Sequence, residues 1–211
     1  VRLKESGYRK VRWGKFELFI DVGEVGPDYQ PGHAHADTFS FELYINGRPV
    51  IVDTGTSTYE VNNTRFYERS TAAHNTVVVS GHNSSQVWAG HRVARRARVK
   101  VLCDEEERVI AVHDGYKRLR CLHTRKVEKM KEYIRIVDEI DCEGMAYLHF
   151  MPKENIVLDG NRLTGSDYCI EFKGAREIES FTSMYAPEFN KREERRSFRM
   201  SFDRRLETII Q

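Results

Sequence analysis

The run Gly32-His33-Ala34-His35-Ala36-Asp37 places two imidazoles and a carboxylate close together. In extended chain His33, His35 and Asp37 project to one side, an arrangement that suits a metal ion or a catalytic base. Two further groups can join them. Asp53 ends a returning hairpin strand at Val52-Asp53-Thr54-Gly55, and antiparallel pairing carries it toward the strand start that follows His35. His74, in Arg69-Ser70-Thr71-Ala72-Ala73-His74-Asn75, stands just before the apolar run Val77-Val78-Val79. Two imidazoles and one carboxylate make a zinc ligand set with a fourth position for water or another ligand. Histidines are also common hydrogen-bonded residues at sandwich rims, and spacing alone leaves both readings standing.

Strands must position these groups. Phe39, Phe41, Leu43 and Ile45 alternate with Ser40, Glu42, Tyr44 and Asn46, the period of a strand with one buried face. Asn46-Gly47 follows as a hairpin turn and Val50-Ile51-Val52 returns. Strand-like runs recur at 76–79, 93–102, 109–112, 133–137, 146–151, 155–158, 168–172 and 197–202. Ser80-Gly81, Asp114-Gly115, Glu143-Gly144 and Asp159-Gly160-Asn161 read as turns between them. Short strands, frequent turns and no long helical period predict an all-β fold, a large antiparallel multi-stranded β-sandwich over residues 1–211. The Glu- and Arg-rich stretch from Pro187 to Arg196 is expected as a solvated loop or hairpin tip.

The chain has 211 residues, with 34 basic against 32 acidic, so no overall field draws it to nucleic acid or an anionic membrane. No apolar run is long enough for a membrane span, and no signal peptide opens the chain. Beginning at Val1 rather than Met, it is expected to be part of a longer protein. Cys103, Cys121, Cys142 and Cys169 show no CxxC pairing and read as buried free thiols, with two disulfides as the alternative in an exported parent. Nothing in the sequence fixes the oligomeric state.

Three segments in order carry a resemblance: Gly26-Pro-Asp-Tyr-Gln-Pro-Gly-His-Ala-His-Ala-Asp37, Val52-Asp53-Thr54-Gly55-Thr56, and Arg69-Ser70-Thr71-Ala72-Ala73-His74-Asn75-Thr76-Val77. Together they resemble the C-terminal β-sandwich region of the heparinase II/III-like polysaccharide lyases. The likeness is sharpest from Gly26 to Arg96, with echoes at Asp114-Gly115-Tyr116, His123-Thr124-Arg125 and Tyr185-Ala186-Pro187-Glu188-Phe189.

The resemblance implies cleavage of uronic-acid polysaccharides, glycosaminoglycans among them, by β-elimination. A base removes the C5 proton, the developing charge on the uronate carboxylate is neutralised, and an acid protonates the leaving oxygen at C4. By motif position His33 matches the catalytic histidine. His35, Asp53 and His74 match the ligands of a structural metal, zinc in the best-known case, that pins the loop beneath the cleft. The family's catalytic tyrosine and its carboxylate-neutralising residue come from an N-terminal α-helical toroid. That domain is thus the implied partner, an acidic polysaccharide the implied substrate, a periplasmic or secreted location is expected, and this chain alone is expected to be inactive.

Weaker candidates sit beside these. Arg65 and Arg69 flank Tyr67 and have the fork geometry that binds sugar carboxylates, although such arginines are more often surface ion pairs. Tyr59, Arg69 and Asn75 are taken as substrate-binding candidates, with strand-end packing as the plainer reading of Tyr59 and Asn75. Trp88 offers an aromatic face to a sugar ring or covers a sheet edge. Arg96 and Arg98 share one strand face, expected to be partly solvated. His123 and Arg125 also share a face, without a visible partner.

Two other classes remain. One is a non-catalytic carbohydrate-binding or structural β-sandwich. The other is a cupin-like metalloenzyme, suggested by His33, His35 and Glu42; six residues between His35 and Glu42 argue against it, as does the lack of a Pro-x-Gly motif before His74.

Overall fold

The computed structural model describes residues 1–3 and 5–211. Five strands form the first antiparallel sheet, in chain order: β1 (Arg2–Leu3), β2 (Tyr8–Trp13), β3 (Phe16–Asp21), β4 (Phe41–Ile45) and β5 (Arg48–Ile51). A short helix α1 (Asn63–Glu68) follows, started by the Asn62 side chain, which accepts from the Arg65 N–H at 3.0 Å. Next come β6 (Val77–Val79) and a small ribbon of β7 (Gln86–Trp88) and β8 (Arg92–Ala94).

The second sheet contains β9 (Val99–Asp104), β10 (Arg108–His113), β11 (His123–Lys129), β12 (Ile134–His149), β13 (Val157–Asp159), β14 (Arg162–Thr164), β15 (Cys169–Tyr185) and β16 (Glu193–Ile210). Its order is β13-β14-β15-β16-β12-β11-β10-β9, and β6 joins by pairing with β12. The inward residues of both sheets merge in one core, with Phe16, Leu18, Ile20, Leu43 and Ile45 from the first and Ala111, Val127, Ile136, Phe198 and Leu206 from the second. The fold is the all-β antiparallel sandwich expected from the alternating pattern.

Several local expectations are corrected. Glu143-Gly144 is not a turn but part of β12, which runs unbroken from Ile134 to His149. There β12 bulges against β16 and Arg204 takes up the irregularity at φ 58°. Gly144 is glycine for packing: a Cβ would lie 2.5 Å from Ile140 and 3.0 Å from Phe202. Residues 93–102 are not one strand, because Arg95 turns the chain at φ 48° between β8 and β9. The first three strands add to those expected. β3 carries a clear alternation in Phe16, Leu18 and Ile20, whereas in β2 Arg9, 6% exposed, shares the inward face with Val11 and is bound to Asp104 of β9 at 2.9–3.1 Å.

Asn46 and Gly47 both have positive φ, 51° and 77°, the two-residue turn that the β4–β5 hairpin requires. This hairpin and the segment leading into β6 meet at one rim of the sandwich, where the chemically capable residues lie. Among the described residues no helix is long and apolar enough to cross a membrane.

Candidate functional site

Three loops converge at this rim, and buried polar residues clamp each one. The first carries His33 and His35 into β4. His33 ends a 3-10 turn at Pro31–His33 and is exposed, its ring edge-on to Tyr59 with centroids 5.6 Å apart. His35 turns inward, its ring centroid 5.4 Å from that of His74. Asp37 lines an open pocket of about 430 Å³ with Asp21, Glu42 and Asp53. The turn at His33 breaks the extended geometry, so these three residues reach different neighbours and do not share one side.

Arg69 secures the first loop. It is 1% exposed, and its guanidinium donates to the carbonyls of Ala34, Trp88, Ala89 and Arg92 at 3.0–3.3 Å. All five of its N–H groups are engaged, so the sugar contact expected of Arg69 has no free donor here. Arg65, also 1% exposed, donates to the Gly90 carbonyl at 3.1 Å and to His35 Nε2 at 3.2 Å. Its guanidinium lies 4.9 Å from the Tyr59 ring centroid.

The second loop follows β5 and carries Asp53. Arg195, 3% exposed, donates to the carbonyls of Val52 and Asp53 at 3.2 Å and to Thr54 Oγ1. It belongs to the stretch expected as solvated loop. Only residues between β15 and β16 are loop; from Glu193 the chain is strand, and Arg195 points inward. Glu68 of α1 accepts from the Ser57 N–H at 3.1 Å and so ties the same loop to the helix.

The third loop leads into β6 through His74 and Asn75. Asn75 is fully buried; its amide donates to the carbonyls of Phe41 at 2.9 Å and Val52 at 3.1 Å, and its oxygen accepts from the His149 N–H at 2.8 Å. It staples β4, β5 and β12 together, and substrate has no access to it. Tyr59, by contrast, is 52% exposed and open to a ligand.

His74 Nδ1 lies 2.5 Å from Asp53 Oδ1. Burial favours the neutral form of each, yet their mutual attraction prevails, raising the His74 pKa and holding Asp53 well below the usual carboxylate range. The two side chains thus form a charge-assisted hydrogen-bonded pair, with each shift directed toward the charged form. Burial, aided by repulsion from His74 and Arg65, pushes His35 down to about 3, so its Nε2 is an acceptor for Arg65. Among the described residues His74 Nε2 is buried without a hydrogen-bond partner, as are Thr38 Oγ1 and Tyr67 Oη. The donor types fit zinc. Among the described residues, however, no three His, Cys, Asp or Glu side chains are gathered in metal-binding geometry.

A buried polar network supports the rim from below. The Gly115 N–H donates to His113 Nδ1 at 3.1 Å, which puts the His113 proton on Nε2, 3.0 Å from His123 Nδ1. His123 then donates through Nε2 to Asp138 at 2.7 Å. Arg125 binds the same carboxylate at 2.7 and 2.9 Å and donates to the carbonyls of Phe39 and Asn75 at 2.6 and 2.8 Å. Asp138 is the partner missing from the sequence reading of His123 and Arg125; it faces Arg125 across the β11–β12 ladder.

Phe189, expected only as part of the echo from Tyr185 to Phe189, also reaches the rim. It stacks on Tyr59 with centroids 5.5 Å apart, so Arg65, Tyr59 and Phe189 form one column at the rim. Trp88 is 45% exposed in β7, and Arg96 is partly buried, held by the carbonyls of Val25, Gly26 and Pro27 at 3.2–3.3 Å.

Fold and rim define a class: a large two-sheet antiparallel domain whose rim carries an exposed histidine and a hydrogen-bonded histidine–aspartate pair. Residues 1–210 match the family described as heparinase II/III-like, C-terminal, and the chain belongs to that family. A heparin-sulfate lyase of Bacteroides stercoris is 32% identical over 133 residues, covering 59% of this chain and 19% of that protein. A crystal structure of heparinase III superposes with a TM-score of 0.78 at 20% identity, over 98% of this chain and 35% of that one. The heparan sulfate lyase HepC of Pedobacter heparinus gives 0.77 at 19% identity, over 99% and 35%. The chain thus spans 19% to 35% of the length of these relatives. Glu42 accepts from the Asp53 N–H and the Tyr44 hydroxyl, away from His33, and gives the cupin-like alternative no support.

Proposed function

We propose that this chain is the C-terminal β-domain of a polysaccharide lyase and contributes its histidine to β-elimination on a uronic-acid polymer. The observation that carries this reading is the division of labour between His33 and His35. His33 is exposed beside Tyr59, where a chain of sugars can reach it, while His35 is turned inward against Arg65 and His74. A reacting group must be accessible and its support rigid, and this rim supplies both.

In the reaction the C5–H and C4–O bonds break and a C4–C5 double bond forms. His33 takes the C5 proton, or neutralises the charge growing on the carboxylate, according to the sugar epimer. The Tyr59–Phe189 stack offers apolar ring surface to a sugar beside it. The tyrosine that completes the acid–base pair is assigned to a helical domain of the same longer protein, in line with the greater length of the relatives. Their names concern heparin and heparan sulfate, which favours a glycosaminoglycan, and such a substrate suits a periplasmic or secreted enzyme.

His35, Asp53 and His74 are the residues assigned to a structural zinc. When bound, the ion supplies positive charge that holds the imidazole and carboxylate ligands, and with them the loops, in place. The test has two arms. The longer protein, incubated with heparan sulfate and with alginate, is expected to release unsaturated uronate absorbing in the ultraviolet, and His33→Ala to lower that release about 100-fold or more. Elemental analysis of wild type against His35→Ala and Asp53→Ala is expected to find about one zinc per chain, lost in both variants. Binding of polysaccharide without cleavage by the longer protein would leave the non-catalytic reading in its place, and absence of zinc after metal is added back would remove the ion.

A further inference from the structure

Cys121 and Cys142 lie outside the rim and play no part in the chemistry proposed for it. In the β11–β12 ladder His123 pairs with Ile140, and the same register continued outward sets Cys121 opposite Cys142. Their sulfurs are 2.8 Å apart. That is closer than unbonded thiols rest and approaches the ~2.05 Å of a covalent S–S bond. Cys121 is 1% exposed, and Cys142 is partly exposed, so one sulfur of the pair can be reached from solvent.

We propose that Cys121 and Cys142 are a disulfide-forming pair, closed by a disulfide donor of the thiol–oxidoreductase class. The Cys142 thiolate attacks one sulfur of the donor's disulfide, forming a mixed disulfide and releasing the donor's other sulfur as a thiolate. The Cys121 thiolate then attacks Cys142 Sγ, forming the S–S bond and expelling the donor's remaining thiolate. The two cysteines are oxidised, the donor disulfide is reduced to a dithiol, and the two cysteine protons end on the donor or in solvent. Burial and Cys121 raise the Cys142 thiol to about 12, which makes uncatalysed exchange slow at neutral pH and a catalytic donor the fitting reagent.

The bond spans the open end of the β11–β12 hairpin and fixes the segment before it. Cys121 N–H donates to the Tyr116 carbonyl at 3.3 Å, and the Tyr116 hydroxyl donates to the Val77 carbonyl of β6 at 2.6 Å. The bond therefore steadies the strand that follows His74. It belongs to an oxidising compartment and does not depend on the lyase reading.

Oxidised glutathione, with a catalytic amount of a thiol–disulfide oxidoreductase, serves as the probe. The protein, reduced and then incubated with it, is denatured, alkylated and weighed intact, with peptide mapping of the protected residues. Cys121 and Cys142 are expected to be protected as one linked peptide pair, with Cys103 and Cys169 alkylated. The oxidised form is expected to melt roughly 5 °C or more above the reduced form. Cys142→Ser is expected to lose both the linked pair and the difference in melting. Alkylation of all four wild-type cysteines, or a bond mapped to Cys103 or Cys169, overturns the pairing.

Discussion

At the scale of single residues the rim separates groups that touch solvent from groups that hold them. His33 is exposed and takes little part in the fold, so His33→Ala is expected to leave the melting temperature of the longer protein unchanged while lowering turnover about 100- to 10,000-fold, the usual contribution of a general base. Paired melting and progress curves check it, and a parallel fall in stability would assign His33 to structure. Asn75 should do the reverse. Asn75→Ala strands two buried carbonyls and one buried N–H, at about 1–3 kcal/mol each, and a drop of roughly 10 °C is expected without a selective rise in KM. The residue types of the rim were legible in the sequence: His74 meets Asp53, and His35 lies beside His74, whereas His33 faces Tyr59. What was not legible was access. Arg69 and Asn75 sit in the same motif as His74, and a motif read as a string gives no burial, so residues that hold the loops looked like residues that hold the sugar.

At the scale of elements, β11 and β12 act as the support of the rim through Asp138 and Arg125. Arg125 reaches across the sandwich to the carbonyl of Phe39, whose φ of 68° is unusual for an aromatic residue, and to that of Asn75. Both ends of the rim are therefore tied to one guanidinium. Arg125→Met removes it and leaves Asp138 as a buried carboxylate with His123 alone; about 3–5 kcal/mol of stability should be lost, a fall of roughly 10 °C or more. Arg125→Lys should recover little, because an ammonium cannot serve both carboxylate oxygens and two carbonyls in this fork geometry. Thermal melts of the two variants decide it, and a lysine variant as stable as wild type would show that charge alone suffices. Strands with one apolar face, such as β4, were readable from alternation. β2 and the start of β16 were not, because Arg9 and Arg195 occupy inward positions and find their partners, Asp104 and the Asp53 loop, far away in the sequence.

At the scale of the molecule, two sets of titratable groups, three buried histidines and three partly buried carboxylates, pull stability in opposite directions as pH changes. His113, His123 and His149 are buried and neutral, with pKa values below 6.5, chiefly through desolvation. On acidification below about 6.5 the unfolded chain takes protons that the folded one declines, so each histidine removes up to about 1.4 kcal/mol per pH unit. The pocket beneath Asp53 works the other way. Burial raises Asp37 and Glu42, and burial together with Asp37 raises Asp21 to about 7, although the Gly23 N–H donates to its carboxylate at 2.8 Å. Between about pH 4, where an unfolded aspartate ionises, and pH 7 the folded chain holds a proton on Asp21 that the unfolded chain has lost, so stability falls as pH rises. The opposed slopes flatten the wild-type profile across the acidic range. Asp21→Asn removes one of them while keeping an acceptor for Gly23. The variant is expected to exceed wild type by roughly 2–4 kcal/mol at pH 7, with the gap narrowing by about 1.4 kcal/mol per pH unit and closing near pH 4. Urea unfolding of both proteins at pH 7, 6 and 5 measures the gap directly; a constant gap, or a variant less stable at neutral pH, would mean that Asp21 is ionised in the folded chain and that the pocket carries its charge in full.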